Sequence, residues 1–222
     1  MASAMIFNFS AILPSLPFIL EGIFVTLKFT CFSLLCGLPL GLLLALGKIS
    51  KITYIRSIAQ VYTSIFRGTP LLVQLGLIYF ATPQLTGYTI SAFEAGVITF
   101  SLNSAAYSSE IIRAGIQSID KGQWEAATML GLTYRQTLFG IIIPQAIANI
   151  LPALVNEMVD LLKESALVST IGETDLLRRA QIIASEKYLY FEPLIIAAGC
   201  YYILVMLISI AAKKLEKKMH HA

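Results

Sequence analysis

The sequence predicts an all-α integral membrane protein, a single domain over 1–222 with about five transmembrane helices. Composition, apolar run length and the spacing of charge carry that prediction. Hydrophobic residues make up 57% of the chain and charged ones 13%, and the mean hydropathy is +0.76. A soluble domain carries about 25% charged residues, and a disordered chain needs high charge and few apolar side chains, so both classes are excluded. A bilayer core is crossed by about 20 mainly apolar residues. Such runs lie at roughly 19–47, 57–81, 90–112, 144–168 and 190–212, with neither a long polar linker nor a strong internal repeat between them.

The first run carries Lys28 and is long enough to tilt, or to bend at Pro39 and its glycines. Residues 1–18 hold no charged side chain, unlike the basic start of a cleaved signal peptide, so the N-terminus is expected to stay attached. Lys48, Lys51 and Arg56 follow the first run, and the stretch 82–89 is uncharged. Arg113, Lys121 and Arg135 follow the third run, residues 163–187 balance four basic with four acidic side chains, and Lys213, Lys214, Lys217 and Lys218 end the chain. Basic loops stay in the cytoplasm, so this alternation places the N-terminus outside and the C-terminus inside.

Residues 114–143 are the most informative. Asp120 is placed to cap a helix, Glu125, Ala126 and Ala127 favour one, and Gly131 suits its stop. Pro144 is expected to start the next helix at a turn. Here Glu125-Ala126-Ala127, three residues, Gly131, nine residues, Ile141, one residue, Ile143 and Pro144 resemble the signature of ABC importer membrane subunits, with Ile143 in the usual Leu place. In that family this segment, 119–135 here, is a coupling helix that docks into the ATPase, so the resemblance assigns docking to Gln123, Glu125, Ala126, Ala127 and Gly131. Arg67-Gly68-Thr69-Pro70-Leu71-Leu72-Val73-Gln74 looks like the second-helix motif of the polar amino acid permeases. Ala106-Tyr107 with Glu110 and Arg113, and Asn156-Glu157 with Leu161-Leu162-Lys163-Glu164-Ser165, look like that branch too. The resemblance implies a type I ABC importer permease in a bacterial inner membrane. It also implies two ATPase subunits that use ATP and Mg, a second permease (a copy or a relative) and an extracytoplasmic solute-binding protein.

The chain itself has no nucleotide site. Gly41 and Gly47-Lys48 approximate a P-loop, but the spacing is one residue too long and Ile49 stands where a hydroxyl would meet Mg²⁺. Cys31, Cys36 and Cys200 sit in apolar runs without CxxC spacing and read as small hydrophobes. His220 and His221 alone make a poor metal site, and no nucleophile–base pattern points to catalysis. No cofactor, metal or nucleic acid is expected on this chain.

The fourth run is unusually polar. Glu157, Asp160 and Glu164 share one helix face, and one ionisable residue at mid-membrane costs about 2.5–3.5 kcal/mol. Glu157 and Asp160 are expected to line a pathway that attracts a basic amino acid such as arginine, lysine or histidine. The alternative is an internal network in which Lys163 neutralises Asp160; glutamine or another polar amino acid is the alternative solute. Arg67, or backbone N–H groups exposed at Gly68 and Thr69 by the Pro70 break, is set to hold the carboxylate, with a packed kink as the other reading. Asn103, Ser104, Tyr107 and Asn156 supply further polar groups for solute or for helix packing, and Glu110 is expected to pair with Arg113. An ion-driven secondary transporter would need about ten spans or an inverted repeat; an intramembrane enzyme and an inert scaffold are the remaining rivals.

Overall fold

The computed structural model describes residues 8–220, with side chains through Lys217. Residues 1–7, the side chains of Lys218, Met219 and His220, and all of His221 and Ala222 lie outside the described residues. Every described element is helical. A short α1 (Phe9–Ile12) runs through a 3₁₀ turn into α2 (Leu16–Ile49), which stays continuous across Pro39 rather than breaking there. The next elements are α3 (Thr53–Gly68), α4 (Leu71–Gly76), a π turn at Leu77–Ala81, α5 (Thr82–Thr86) and α6 (Ala92–Gln117). Then come α7 (Lys121–Met129), α8 (Tyr134–Thr137), a second π turn at Leu138–Ile142 and α9 (Ile143–Glu164). A 3₁₀ stretch at Ser165–Ile171, α10 (Leu176–Lys187) and α11 (Phe191–His220) complete the chain.

Phe9–Ile49, Tyr134–Ile171 and Phe191–Lys217 are long and apolar enough to cross a bilayer. The expected second span is broken: α3 and the helix Leu71–Thr86 meet at 101°, and together they make a fourth crossing if counted as one. The cause is local. Pro70 has its φ locked at −62°, and it drives Thr69 into extended backbone at φ −121°, ψ 144°. The third expected span, α6, is long but less apolar, because it packs between α2, α3 and α9 and buries Thr99, Ser101, Asn103, Ser104, Ser108 and Ser109. Pro144 stands in the first turn of α9, as expected, but the chain before it is already helical. The helix starts at Tyr134, behind a capping box of Thr133 and Gln136, and the extra residue of the π turn relieves the clash a proline would make in a regular α turn.

Small residues let the inner helices close up. A Cβ on Gly41 of α2 would stand 2.9 Å from the Ser108 Cβ of α6, and one on Gly37 would stand 3.1 Å from the Ser101 carbonyl. Around this seam Phe29, Leu75, Phe100, Leu161 and Val168 form the main core, with Phe29 edge-on to Phe100 at 4.8 Å. α10, unforeseen within the charge-balanced stretch, packs Leu176, Ala180 and Ile183 with Ile19 and Ala197. Cys31 and Cys36 are exposed on α2, Cys200 is half-buried, and all are free thiols.

Candidate functional site

A cavity of about 450 Å³ opens between α6 and α9, lined by Asn103, Tyr107, Glu157, Asp160, Lys163, Glu164, Ala166 and Leu167. Helical periodicity assembles it: positions 103 and 107 are one turn apart on α6, and 157, 160 and 164 recur on one face of α9. Its ionisable lining is three carboxylates against one ammonium. Lys163 Nζ lies 2.7 Å from Asp160 Oδ1, with both side chains more than half exposed, so the pair is worth about 0–1 kcal/mol. The pairing of Asp160 with Lys163, the alternative reading, is therefore present, and it leaves Glu157 and Glu164 facing the same space with no ion pair to Lys163 within 4.0 Å.

A second cavity, about 760 Å³, continues the α6–α9 groove; Glu110, Ala114 and Ser118 line one side, and Asn149, Pro152 and Ala153 the other. Arg67 spans the step between the two. Its guanidinium lies over the Tyr107 ring at 5.3 Å and 3.8 Å from Glu110 Oε1. Glu110 pairs with Arg113 as expected, at 2.7 Å, and also takes Lys48 Nζ at 2.7 Å. The Lys48 side chain is 3% exposed. It is a buried ion-pair partner rather than a free loop charge, which removes one of the charges used to orient the chain.

The other predicted positions divide. Ser104 is buried outside the cavity lining, with its hydroxyl beside the Glu157 carboxylate. Asn156 is exposed one helical turn before Asp160 and does not line the cavity. Gly68 stands in open space at the α3–α4 break. Thr69 is engaged with backbone, donating from Oγ1 to the Ile65 carbonyl at 2.8 Å. The groups meeting Asn103 at the break are not freed N–H donors: Asn103 Nδ2 donates to the Phe66 carbonyl and to Gln74 Oε1, each at 3.2 Å. Gln74 and Lys48 are the buried polar residues beside these positions whose partners sequence reasoning passed over. The signal for Gln74 was a lone amide within Leu-Leu-Val-Gln-Leu, which must find partners once buried.

The expected coupling segment folds as a capped surface helix. Asp120 accepts the Gly122 N–H at 2.7 Å. At the other end Leu132 N–H reaches the Ala127 carbonyl and Gly131 N–H that of Thr128, with Gly131 at φ +72°. This paired closure needs a left-handed residue, hence glycine. Gln123, Glu125, Ala126 and Gly131 are exposed, whereas Ala127 is 1% exposed and faces inward. Met129 and Leu130, by contrast, are 88% and 77% exposed.

Residues 37–221 match the family described as the binding-protein-dependent transport system inner membrane component. The chain belongs to that family. This permease is 57% identical over 206 residues to the putative glutamine transport system permease protein GlnP of Rickettsia felis, covering 93% of this chain and 94% of that one. It is 51% identical over 212 residues to the arginine transport system permease protein ArtQ of Bacillus subtilis, covering 96% and 97%. Its fold matches a solved amino acid ABC transporter with histidines at a TM-score of 0.90 and 47% identity, over 96% of this chain and all of that one. An inward-facing MetNI methionine ABC transporter matches at a TM-score of 0.72 and 22% identity, which speaks for the fold alone. The resemblance read from the motifs is thus borne out. The protein is an amino acid ABC permease subunit of the inner membrane with the type I importer fold, and its family implies an ATPase and a binding protein as partners.

Proposed function

We propose that this permease carries a polar amino acid with a cationic side chain, of the arginine, lysine or histidine kind, through the α6–α9 groove by alternating access. The observation that carries the reading is the cavity's charge: Glu157, Asp160 and Glu164 against Lys163 alone. Three carboxylates lining one cavity favour a cation and form charge-assisted hydrogen bonds with it. The solute's own carboxylate falls to Arg67, which is half exposed and is the most distant of the cations around Glu110. Asn103 and Tyr107 complete the wall; Gly68 and Thr69 shape the break that positions Arg67.

In this reading the N-terminus is outside and the C-terminus cytoplasmic. Two ATPase subunits, using ATP and Mg, dock at Gln123, Glu125, Ala126 and Gly131, and a second permease completes the membrane body. A loaded binding protein docks outside, ATP closes the ATPases, and the motion passes through 119–135 into α9. Glutamine is the second reading, favoured by the name of a relative 57% identical.

The test is the complex in liposomes with its ATPase and cognate binding protein, scanned across amino acids. Arginine, lysine or histidine should stimulate ATP hydrolysis and accumulate inside. Stimulation by glutamine alone overturns the cationic reading; solute accumulation by this chain without an ATPase overturns the whole.

A further inference from the structure

We infer that Gln74 is a positioning residue that sets specificity: it holds the Asn103 side chain with its carbonyl oxygen, not its amino group, toward the solute. The inference rests on the cavity being the solute site, and Gln74 is not part of that cavity's lining. Its argument is a chain of forced hydrogen-bond polarities. Gln74 Nε2 lies 2.8 Å from the Phe66 carbonyl, 3.0 Å from that of Thr69 and 2.8 Å from Thr69 Oγ1. Carbonyl oxygens only accept, so the amino group of Gln74 must face the break and its Oε1 must face away. Oε1 meets Asn103 Nδ2 at 3.2 Å, and the same Nδ2 reaches the Phe66 carbonyl at 3.2 Å. Both N–H bonds of Asn103 are therefore spent on the break. What Asn103 retains for the cavity is Oδ1, an acceptor.

The lock has two consequences. Asn103 then joins the carboxylates Glu157, Asp160 and Glu164 in offering acceptors, so this part of the lining selects a donor-rich group such as a guanidinium, an ammonium or a primary amide. The same amide pair also satisfies carbonyls left open where α3 ends, which a buried helix end requires. Gln74 is 8% exposed and Asn103 6%, so neither amide can be released without leaving a buried polar group unpaired. The break that orients Arg67 and the wall that reads the solute are thereby one hydrogen-bonded unit.

The experiment is a double-mutant cycle on the assembled complex in detergent, with Gln74→Leu, Asn103→Leu and the pair. It is read by calorimetric binding of L-arginine and L-glutamate and by thermal unfolding. Gln74→Leu should weaken arginine binding about three- to tenfold, the worth of one neutral hydrogen bond. The pair should bind no worse than Asn103→Leu alone, since Gln74 acts through Asn103. Independent, additive losses in both readouts overturn the lock. Should the unaltered complex bind no amino acid, the cavity reading falls, while additivity in the unfolding cycle still decides whether Gln74 and Asn103 are coupled. Gln74→Met replaces Gln74→Leu if the latter does not assemble.

Discussion

Glu110 meets Lys48 and Arg113 at 2.7 Å and Arg67 at 3.8 Å. Lys48 is the critical partner because its side chain is nearly inaccessible, and Ser109 Oγ is the other group it donates to. Glu110→Gln leaves that ammonium buried without a counter-charge, so it should destabilise the protein by about 3 kcal/mol, the low end for breaking a buried pair. Adding Lys48→Met should restore at least half; thermal unfolding in detergent checks both, and an unchanged midpoint in the single variant sinks the assignment. Asp175 poses the opposite problem. Burial pushes its carboxyl up to about 6, although the Arg178 and Leu177 N–H groups and the Tyr201 hydroxyl donate to it and pull the other way; the Glu173 charge adds to the rise. A raised acid means the fold favours the protonated form. Its stabilising contribution is complete below the ordinary 3.8 and lost as pH rises through about 6. From about pH 4 to about pH 7 the protein should therefore lose stability relative to Asp175→Asn. Unfolding midpoints that shift in parallel across this range contradict the linkage.

Single helices carry the mechanical part of the proposal. α7 is short, capped at Asp120 and closed at Gly131, and it displays Met129 and Leu130 almost bare. Large apolar side chains exposed together on a surface helix mark a docking face, and here they join Glu125 and Ala126. A β-branched residue at Gly131 costs about 1–2 kcal/mol of local strain and loosens the closure without touching the apolar spans. Gly131→Val and Glu125→Lys should both insert normally yet move severalfold less solute per ATP hydrolysed, measured in liposomes. Unaltered coupling in both would remove α7 from the force path. The π turn at Leu138–Ile142 joins this segment to α9 in one helical run, Tyr134–Ile171, so displacement of α7 has a direct route to Glu157 and Asp160.

Across the molecule, charge is graded along the α6–α9 groove. The first cavity is dominated by carboxylates, while Glu110 in the second is outnumbered by the cations around it. A zwitterion with a basic side chain fits that gradient in one orientation, with its side chain among the acids and its carboxylate toward Arg67. Glu157→Gln combined with Asp160→Asn should lower arginine uptake more than tenfold, since each charge-assisted hydrogen bond is worth about 1.5–3 kcal/mol. Glutamine uptake, if present, should fall far less. Equal loss of both would mean that the acids serve assembly rather than selection.

Local signals made much of this legible in the sequence. Asp120 and Gly131 bounded α7, long apolar runs marked α2 and α11, and seven-residue spacing put Glu157 and Glu164 on one face, because each depends only on neighbours within two helical turns. The family resemblance rested on the same short spacings. Tertiary structure decided the rest. Lys48 and Glu110 are 62 positions apart, and no local pattern shows that a lysine at a helix end will be buried. The 101° break was hinted at by Pro70, but its partners, Gln74 and Asn103, become visible only when α4 and α6 meet. The run 90–112 marked α6 as a span, but that its polar side chains are covered by α2 and α9 depends on packing. Periodicity and capping are written in adjacent residues, so the chain announces its helices by itself; charge neutralisation and hydrogen-bond pairing belong to groups distant in the chain, and only packing chooses the partners.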